Sequence, residues 1–562
     1  MQLRLRFDAL KAWFKGGLNK WRVAFLVFAV AYALLLVFGV SSMEGLSHMS
    51  IQWDEVTHLN GGALLLRGDT ATYFSFNAFY PPMYDLVTMA FFGVGGVSLF
   101  VGRFVSVVFS LLSVYALFEF SYRLYGAKTA FVASVFLAIM PGYLWLSRMA
   151  MIETMLVFFF TTSALFFFLW LKEHKNKFLI FSGLMLGFGI ITKYQTIVLG
   201  AVMLTSMFLL CRGYLKQKLK RFPLLIILAA VVVVPWIVIS YQIYASGMLN
   251  QWIYAVSIGN PEKSFYSTGL NRFPPVYDVL PGWVQTPIFY LLEMSVPYYT
   301  AVNPSGSVHP VSIILFVLGL AGLGLLAWRR KPQDKYLLLW FLVVYIFFTA
   351  IPNKQWRYVL PLFPVLALSA ATLVVSVLAK AQKTWRTPQL SLNKKRLVQA
   401  AALAFIAFTL VGSYYSLADA HSWVSKDQIY VPLEDAATYI ANRLKPDENV
   451  LVLCAFNLFS QDIVRFYFLA NQSINTWIYQ YPDMPVDTYT PDINVTQLIS
   501  LCEEHNIRYL LVNEYGGASF HYFNTTYSFA DLNATLMSAG RFTFEPAFWW
   551  EEPGRIFVLT FT

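Results

Sequence analysis

Two adjacent carboxylates, Asp54 and Glu55, stand in the stretch IQWDEVTHLNGG at 51–62, just after an apolar run at 23–40. A positioned carboxylate can take the proton of an attacking hydroxyl, which makes the pair a candidate for general-base chemistry. The same pair could bind Mg²⁺ or Mn²⁺ through oxygen. A plainer reading makes Asp54 the cap of a helix starting near Glu55, a common place for Asp. His58 follows about one turn later; a lone histidine reads first as structural and second as a residue lining the site. Further along, Arg103, Arg148, Lys193, Lys354 and Arg357 lie at or near the ends of apolar runs, and Glu153 begins one. Each alone reads equally well as a snorkelling side chain. Together, beside three carboxylates, they would suit a bound phosphate, to which Arg and Lys make charge-assisted bonds.

The elements that must hold these groups are membrane helices. The chain has 562 residues, 58% hydrophobic and only 13% charged, against about 25% charged in soluble domains. A bilayer core needs about 20 apolar residues per helix. Eleven runs qualify, near 23–40, 102–122, 128–144, 153–171, 178–192, 195–211, 223–244, 309–328, 336–352, 358–379 and 398–417. The first is too long for the h-region of a signal peptide and lacks a small-residue cleavage pattern, so a retained anchor is expected.

Charge sets the expected orientation. Residues 1–417 hold 34 Lys and Arg against 13 Asp and Glu, whereas 418–562 hold 7 against 17. In the first part, 26 of the 34 basic residues fall in alternate loops. The positive-inside rule then places the N-terminus in the cytoplasm and explains the basic excess without a nucleic-acid partner. An odd number of spans puts the tail outside. Four N-glycosylation sequons, at Asn471, Asn494, Asn524 and Asn533, all lie in that tail. The expected architecture is a membrane domain at 1–420 and an extracytoplasmic α/β domain at 421–562. In the tail, strands are expected at 449–454, 507–513 and 555–561, and helices at 433–444, 459–470 and 495–505. Cys454 and Cys502 could pair outside the cell, but buried free thiols are the preferred reading, and the three cysteines form no metal motif.

The motifs carry a resemblance. WDEVTH resembles the Asp-Glu motif of dolichyl-phosphate-mannose protein mannosyltransferases, of lipid A aminoarabinose transferases and of other enzymes of the GT-C membrane glycosyltransferase superfamily. FYPPMYDL at 79–86 resembles their Pro-Pro segment, LSRMAMIET their Arg-x4-Asp segment with Glu153 in place of Asp, ITKY their Thr-Lys turn, and NKQWRYVLPLFP their Arg-Tyr-x-Leu-Pro segment. The order holds over residues 20–380; the tail gives no comparable match. WWEEPG at 549–554 shares only Trp-Trp and an acid with the oligosaccharyltransferase motif and reads as part of the small domain.

The resemblance implies a GT-C helix bundle of about 11 spans with short helices in the first outer loop. It also implies an inverting transfer of a sugar, mannose being one candidate, from a polyprenyl or dolichyl phosphate to a protein, lipid or glycan hydroxyl. Asp54 would be the base, and Glu55 would orient it or bind the acceptor. Lys193, Lys354 and Arg357 would hold the donor phosphate, with Arg103 and Arg148 as secondary ligands, although Arg148 could instead pair with Glu153. His58, Tyr80 and Glu153 would line the pocket or meet the acceptor. No metal is required by the resemblance. The setting would be the cell membrane or an ER-like membrane. Independently, the chain has no Asp-x-Asp and no cytoplasmic domain large enough for a nucleotide sugar. The rival reading is a transporter or flippase of lipid-linked sugars, but no internal repeat of the transporter kind is visible.

Overall fold

A computed structural model of the chain describes residues 20–39, 45–47, 51, 53–76, 80–245, 247–248, 282–295, 298–299, 307–351, 355–426, 432–453, 459–470, 476–482, 493–515, 518–522, 525–551 and 554–562. Its helices begin with α1 (Lys20–Phe38), α2 (Trp53–Arg67), α3 (Thr70–Phe76), α4 (Met83–Gly95), α5 (Leu99–Tyr125), α6 (Ala127–Ala138) and α7 (Pro141–Leu146). The bundle continues with α8 (Glu153–Glu173), α9 (Asn176–Ile190), α10 (Val198–Leu210), α11 (Leu215–Tyr244), α12 (Gly282–Ser295), α13 (Ile313–Arg329), α14 (Pro332–Ala350), α15 (Phe363–Arg386) and α16 (Leu392–Lys426).

Seven of the described helical segments are long and apolar enough to cross a membrane. The other four expected spans coincide with shorter apolar helices, α6, α9, α10 and α13. Burial separates the roles of the long ones. The hydrophobic window of α8 is 83% buried, whereas that of α1 is 17% buried. Val27, Val231 and Leu410 are each more than 60% exposed on α1, α11 and α16. Helices that are apolar all round and exposed to this degree suit lipid as their solvent. The chain is an integral membrane protein.

The tail is a mixed sheet with helices on both faces. Strands β3 (Asn449–Leu453), β4 (Ile478–Tyr481), β5 (Ile507–Tyr515), β8 (Phe542–Glu551) and β9 (Gly554–Phe561) follow the pair β1 (Tyr298–Tyr299) and β2 (Ser307–Val308); β6 (Ala518–Tyr522) and β7 (Thr525–Ser528) form a side hairpin. β3 runs parallel to β4 and β5, and β9 pairs antiparallel with β5 and β8. Val450 and Val452 of β3 face a cluster with helices α17 (Leu433–Ala441) and α18 (Gln461–Ala470). Leu451 and Leu453 face the other side, against α19 (Val495–Glu504) and α20 (Phe529–Ser538). A strand buried on both faces reads as a continuous apolar run, which is how NVLVL stood out. β4, β6, β7, β8 and α20 were not legible that way. Cys502 is a buried free thiol and Cys454 lies outside the described residues.

The first interspan segment and the tail share one core. Val56, Leu59 and Ala63, spaced for one face of α2, are buried in the cluster that holds Ile463 and Val464 of α18. Asn60 Nδ2 donates to the Asp462 carbonyl oxygen at 2.8 Å, and Arg67 donates to the Leu469 carbonyl. Below α2, a Cβ on Gly62 would stand 2.6 Å from Thr88 of α4, and one on Gly102 of α5 would stand 2.1 Å from Leu59. These two glycines let α2 lie close against both helices.

Candidate active site

Four element starts converge around Asp54. Asp54 and Glu55 occupy the first turn of α2, where negative side chains favour the helix dipole. Glu153 is the first residue of α8. Lys193 follows α9 in extended conformation and precedes a 3-10 turn at Tyr194–Ile197. Arg357 lies in the 3-10 turn Trp356–Leu362 that leads into α15.

Their side chains form a chain of ion pairs. Arg357 Nη2 donates to Asp54 Oδ2 at 2.7 Å and to Gln355 Oε1 at 2.9 Å. Arg357 Nη1 lies 3.9 Å from Glu153 Oε1, and Lys193 Nζ donates to the same oxygen at 3.0 Å. Lys193 also stands 5.5 Å over the Tyr358 ring. The Asp54 side chain is 49% exposed while that of Glu153 is 3% exposed, so Asp54 is the carboxylate open to an incoming molecule. Buried Glu153 Oε2 has no hydrogen-bond partner among the described residues. Asp54 lies within α2 rather than ahead of it, and its carboxylate reaches Arg357, which does not fit the capping role.

Although the Asp54 side chain is half exposed, the protein around it partly desolvates the carboxyl and pushes it up, but the charge and hydrogen bond of Arg357 outweigh this and hold the group below its ordinary value. Burial, followed by the negative charge of Asp54, raises the Tyr80 phenol. Tyr80 therefore stays neutral and able to donate a hydrogen bond beside Asp54.

Glu55 has a different role from its neighbour. It is fully buried and grips Arg103 with both oxygens, at 2.6 and 2.8 Å. It also accepts the Ala150 N–H at 2.7 Å. This fixes the start of α2 to α5 and to the turn before α8, which suits orientation and removes Glu55 from an acceptor's reach. Arg103, expected among the secondary phosphate ligands, is instead engaged by Glu55 and the Leu46 carbonyl and has no exposed surface. Arg148 is likewise 1% exposed, between α7 and α8; the cations on Glu153 are Lys193 and Arg357. Both arginines fall inside the scaffold, and Arg103 is matched there by Glu55, as a charge in an apolar segment requires. Lys354 lies outside the described residues.

His58 is 3% exposed, with Nδ1 2.8 Å from Asp85 Oδ1 and its ring against Tyr80 and Tyr84. Tyr73 donates to the other Asp85 oxygen at 3.1 Å. His58 is thus held in place, as the structural reading expects. Asp85, Gln355 and Tyr358 were missed as partners although all three sit inside the quoted motifs; a buried acid in the apolar stretch MYDLV was the available signal.

Asp54 turns to Arg357 and Glu55 turns inward to Arg103, so the two carboxylates diverge. Among the described residues no group of three or more His, Cys, Asp or Glu could hold an ion.

Residues 80–239 match the family of dolichyl-phosphate-mannose-protein mannosyltransferases. By structure, the chain is similar to ArnT from Cupriavidus metallidurans, with 14% identity and a TM-score of 0.59 over 96% of this chain and 97% of that one. It is also similar to the Archaeoglobus fulgidus oligosaccharyltransferase, with 13% identity and a TM-score of 0.57 over 89% and 70%. Structures of these two proteins hold undecaprenyl phosphate and a dolichol-phosphate, respectively. A sequence search of curated proteins gives no significant match. The chain has the GT-C fold of membrane glycosyltransferases. In part of its sequence it is similar to the protein mannosyltransferases, and in fold to ArnT.

Proposed function

We propose that the chain is an inverting glycosyltransferase that moves a sugar from a polyprenyl phosphate to a hydroxyl acceptor, with Asp54 as base. The observation that carries this reading is the network Asp54–Arg357–Glu153–Lys193, an exposed carboxylate joined to cations at one end of the bundle. The acceptor O–H gives its proton to Asp54 as its oxygen attacks the anomeric carbon. The bond from that carbon to the phosphate oxygen breaks, and the polyprenyl phosphate leaves with the electron pair. One displacement inverts the anomeric centre. Lys193 and Arg357 hold the growing phosphate charge, as fixed cations do in transition-state stabilisation. Lys354 belongs to this group by its place in the motif. Glu153 Oε2, buried and unpaired, is placed to accept a hydroxyl of the bound donor sugar.

The Asp54–Arg357 bond implies an order of events. While Arg357 grips Asp54, the carboxylate is a poor base. A donor phosphate that draws Arg357 away raises the proton affinity of Asp54 when a base is needed. Arg357→Ala should therefore weaken donor binding by about 1.5–3 kcal/mol, the usual cost of a lost hydrogen bond to a charged group. Arg357→Lys should recover part, since a lysine lacks the fork. Donor affinity measured on the purified variants checks this, and unchanged affinity in Arg357→Ala removes Arg357 from the site. The pH profile gives a second readout. With a lowered pKa, Asp54 keeps its pairing energy above its ordinary value, and loses it only as the pH falls through the lowered one. In Arg357→Ala the acid limb of kcat/KM should move to higher pH. A limb that stays put would separate Asp54 from the titration.

The reading places the Asp54 end of the bundle and the tail outside the cytoplasm. Protease added to sealed right-side-out vesicles should then remove the tail; cleavage confined to inverted vesicles would reverse the orientation. The transporter reading draws no support, because the charged groups meet at helix starts on one end of the bundle rather than in mid-span.

A further inference from the structure

A small cleft opens between α2 and α18, lined by Thr57, Asn60, Gly61, Leu64 and Tyr73 on one side and by Asp462 and Arg465 of the tail on the other. We infer that this cleft is the acceptor subsite and that it takes a saccharide, so that the acceptor hydroxyl belongs to a sugar. The inference rests on the transfer reading above and adds the chemical class of the acceptor.

Three observations support it. The first is position. Thr57, Gly61 and Leu64 follow Asp54 at three, seven and ten residues, which puts all four on one face of α2. At 1.5 Å per residue, Gly61 lies about 10 Å along the helix from Asp54. A molecule seated in the cleft and extending along this stripe reaches the base from the tail side, while the cations on Asp54 and Glu153 approach from α15 and the turn after α9.

The second is an unmet hydrogen bond. Asn60 is 6% exposed and its Oδ1 is buried without a partner among the described residues. Its Nδ2 is committed to the Asp462 carbonyl at 2.8 Å, which fixes the orientation of the amide. A buried acceptor atom at a cleft wall calls for a donor, and a hydroxyl supplies one.

The third is the character of the remaining wall. The Asp462 carboxylate accepts from Arg465 Nη1 at 2.7 Å, and Arg465 is 7% exposed. A carboxylate, a guanidinium and an amide together offer acceptors and donors in planar sets, the arrangement that neighbouring hydroxyls of a sugar ring can bridge. A peptide would be expected to use a free strand edge, a hydrophobic groove or an aromatic Pro-binding groove; the residues lining this cleft come from helices and offer no strand edge. The enclosed part of the cleft is small, so a saccharide seats one hydroxyl-bearing edge in it and extends along α2 towards Asp54.

The test uses the full-length protein in phospholipid nanodiscs, free of glycoside detergents. Saturation-transfer NMR is recorded, without donor, for methyl mannoside, maltose, cellobiose and a serine/threonine hexapeptide. At least one saccharide should show a saturable signal that the hexapeptide does not displace. Asp462→Asn and Thr57→Val should each weaken that binding tenfold or more, with undecaprenyl phosphate binding retained as proof of a folded site. Asn60→Ala should do the same, and serves as a second probe because it also removes a bond to the tail. Saccharide binding unchanged in all three variants, or hexapeptide binding without any saccharide signal, would overturn the inference. Failure of the transfer reading looks different: no polyprenyl-phosphate sugar is consumed, whatever binds the cleft.

Discussion

Asp54→Asn should lower turnover by about 10²–10⁴-fold, the range expected for loss of a general base. The substitution keeps the size of the side chain and an oxygen for Arg357, yet the amide cannot take the acceptor's proton. Donor affinity should change little, because the phosphate is assigned to Lys193, Lys354 and Arg357. Releasing Arg357 from a charged partner could even tighten it. The helix-capping alternative expects near-normal turnover, since Asn caps about as well as Asp. Single-turnover rates together with donor dissociation constants, measured on a folded variant, separate the two.

Arg103→Ala should cost about 3–5 kcal/mol, because it leaves a buried carboxylate without its partner. Glu55 has no exposed surface and takes two bonds from that guanidinium. The loss should appear as a lower thermal midpoint and a lower yield of folded protein. A double change, Glu55→Gln with Arg103→Met, removes both charges and should recover much of the stability, since replacing a buried pair whole is often nearly neutral. A stable Arg103→Ala protein with weakened donor binding would return Arg103 to the phosphate site.

The contrast between Asp54 and Glu55 shows what the sequence could tell. Adjacent residues on a helix point about 100° apart, so one faces the opening and the other the core. The motif WDEVTH marked both as chemically loaded, but only the packing of α5 and the turn at Ala150 shows which is free. The same holds for the five cations. Lys193 and Arg357 sit at element ends that converge, whereas Arg103 and Arg148 sit where helices pack, and composition alone gives both sets the same appearance. Periodicity served well where one period dominates: the apolar runs of the bundle and the doubly buried strand NVLVL. It served poorly for the hairpin strands β6 and β7 and for β8, which pairs at the far side of the sheet. The cleft between α2 and α18 was invisible because it joins residues four hundred positions apart. The tail carries none of the residues of the Asp54 network. Yet it covers α2, so removing residues 432–562 would strip the helix that carries Asp54 of part of its core.

The central claim is that this chain consumes a polyprenyl-phosphate sugar through Asp54. Purified protein in nanodiscs should be given a panel of radiolabelled polyprenyl-phosphate sugars, with saccharide, lipid and peptide acceptors in turn. The account predicts that one donor is turned over, that free polyprenyl phosphate accumulates, that the product carries the inverted anomeric configuration, and that all three are lost in Asp54→Asn. Turnover with retained configuration, or turnover undiminished in Asp54→Asn, would contradict it.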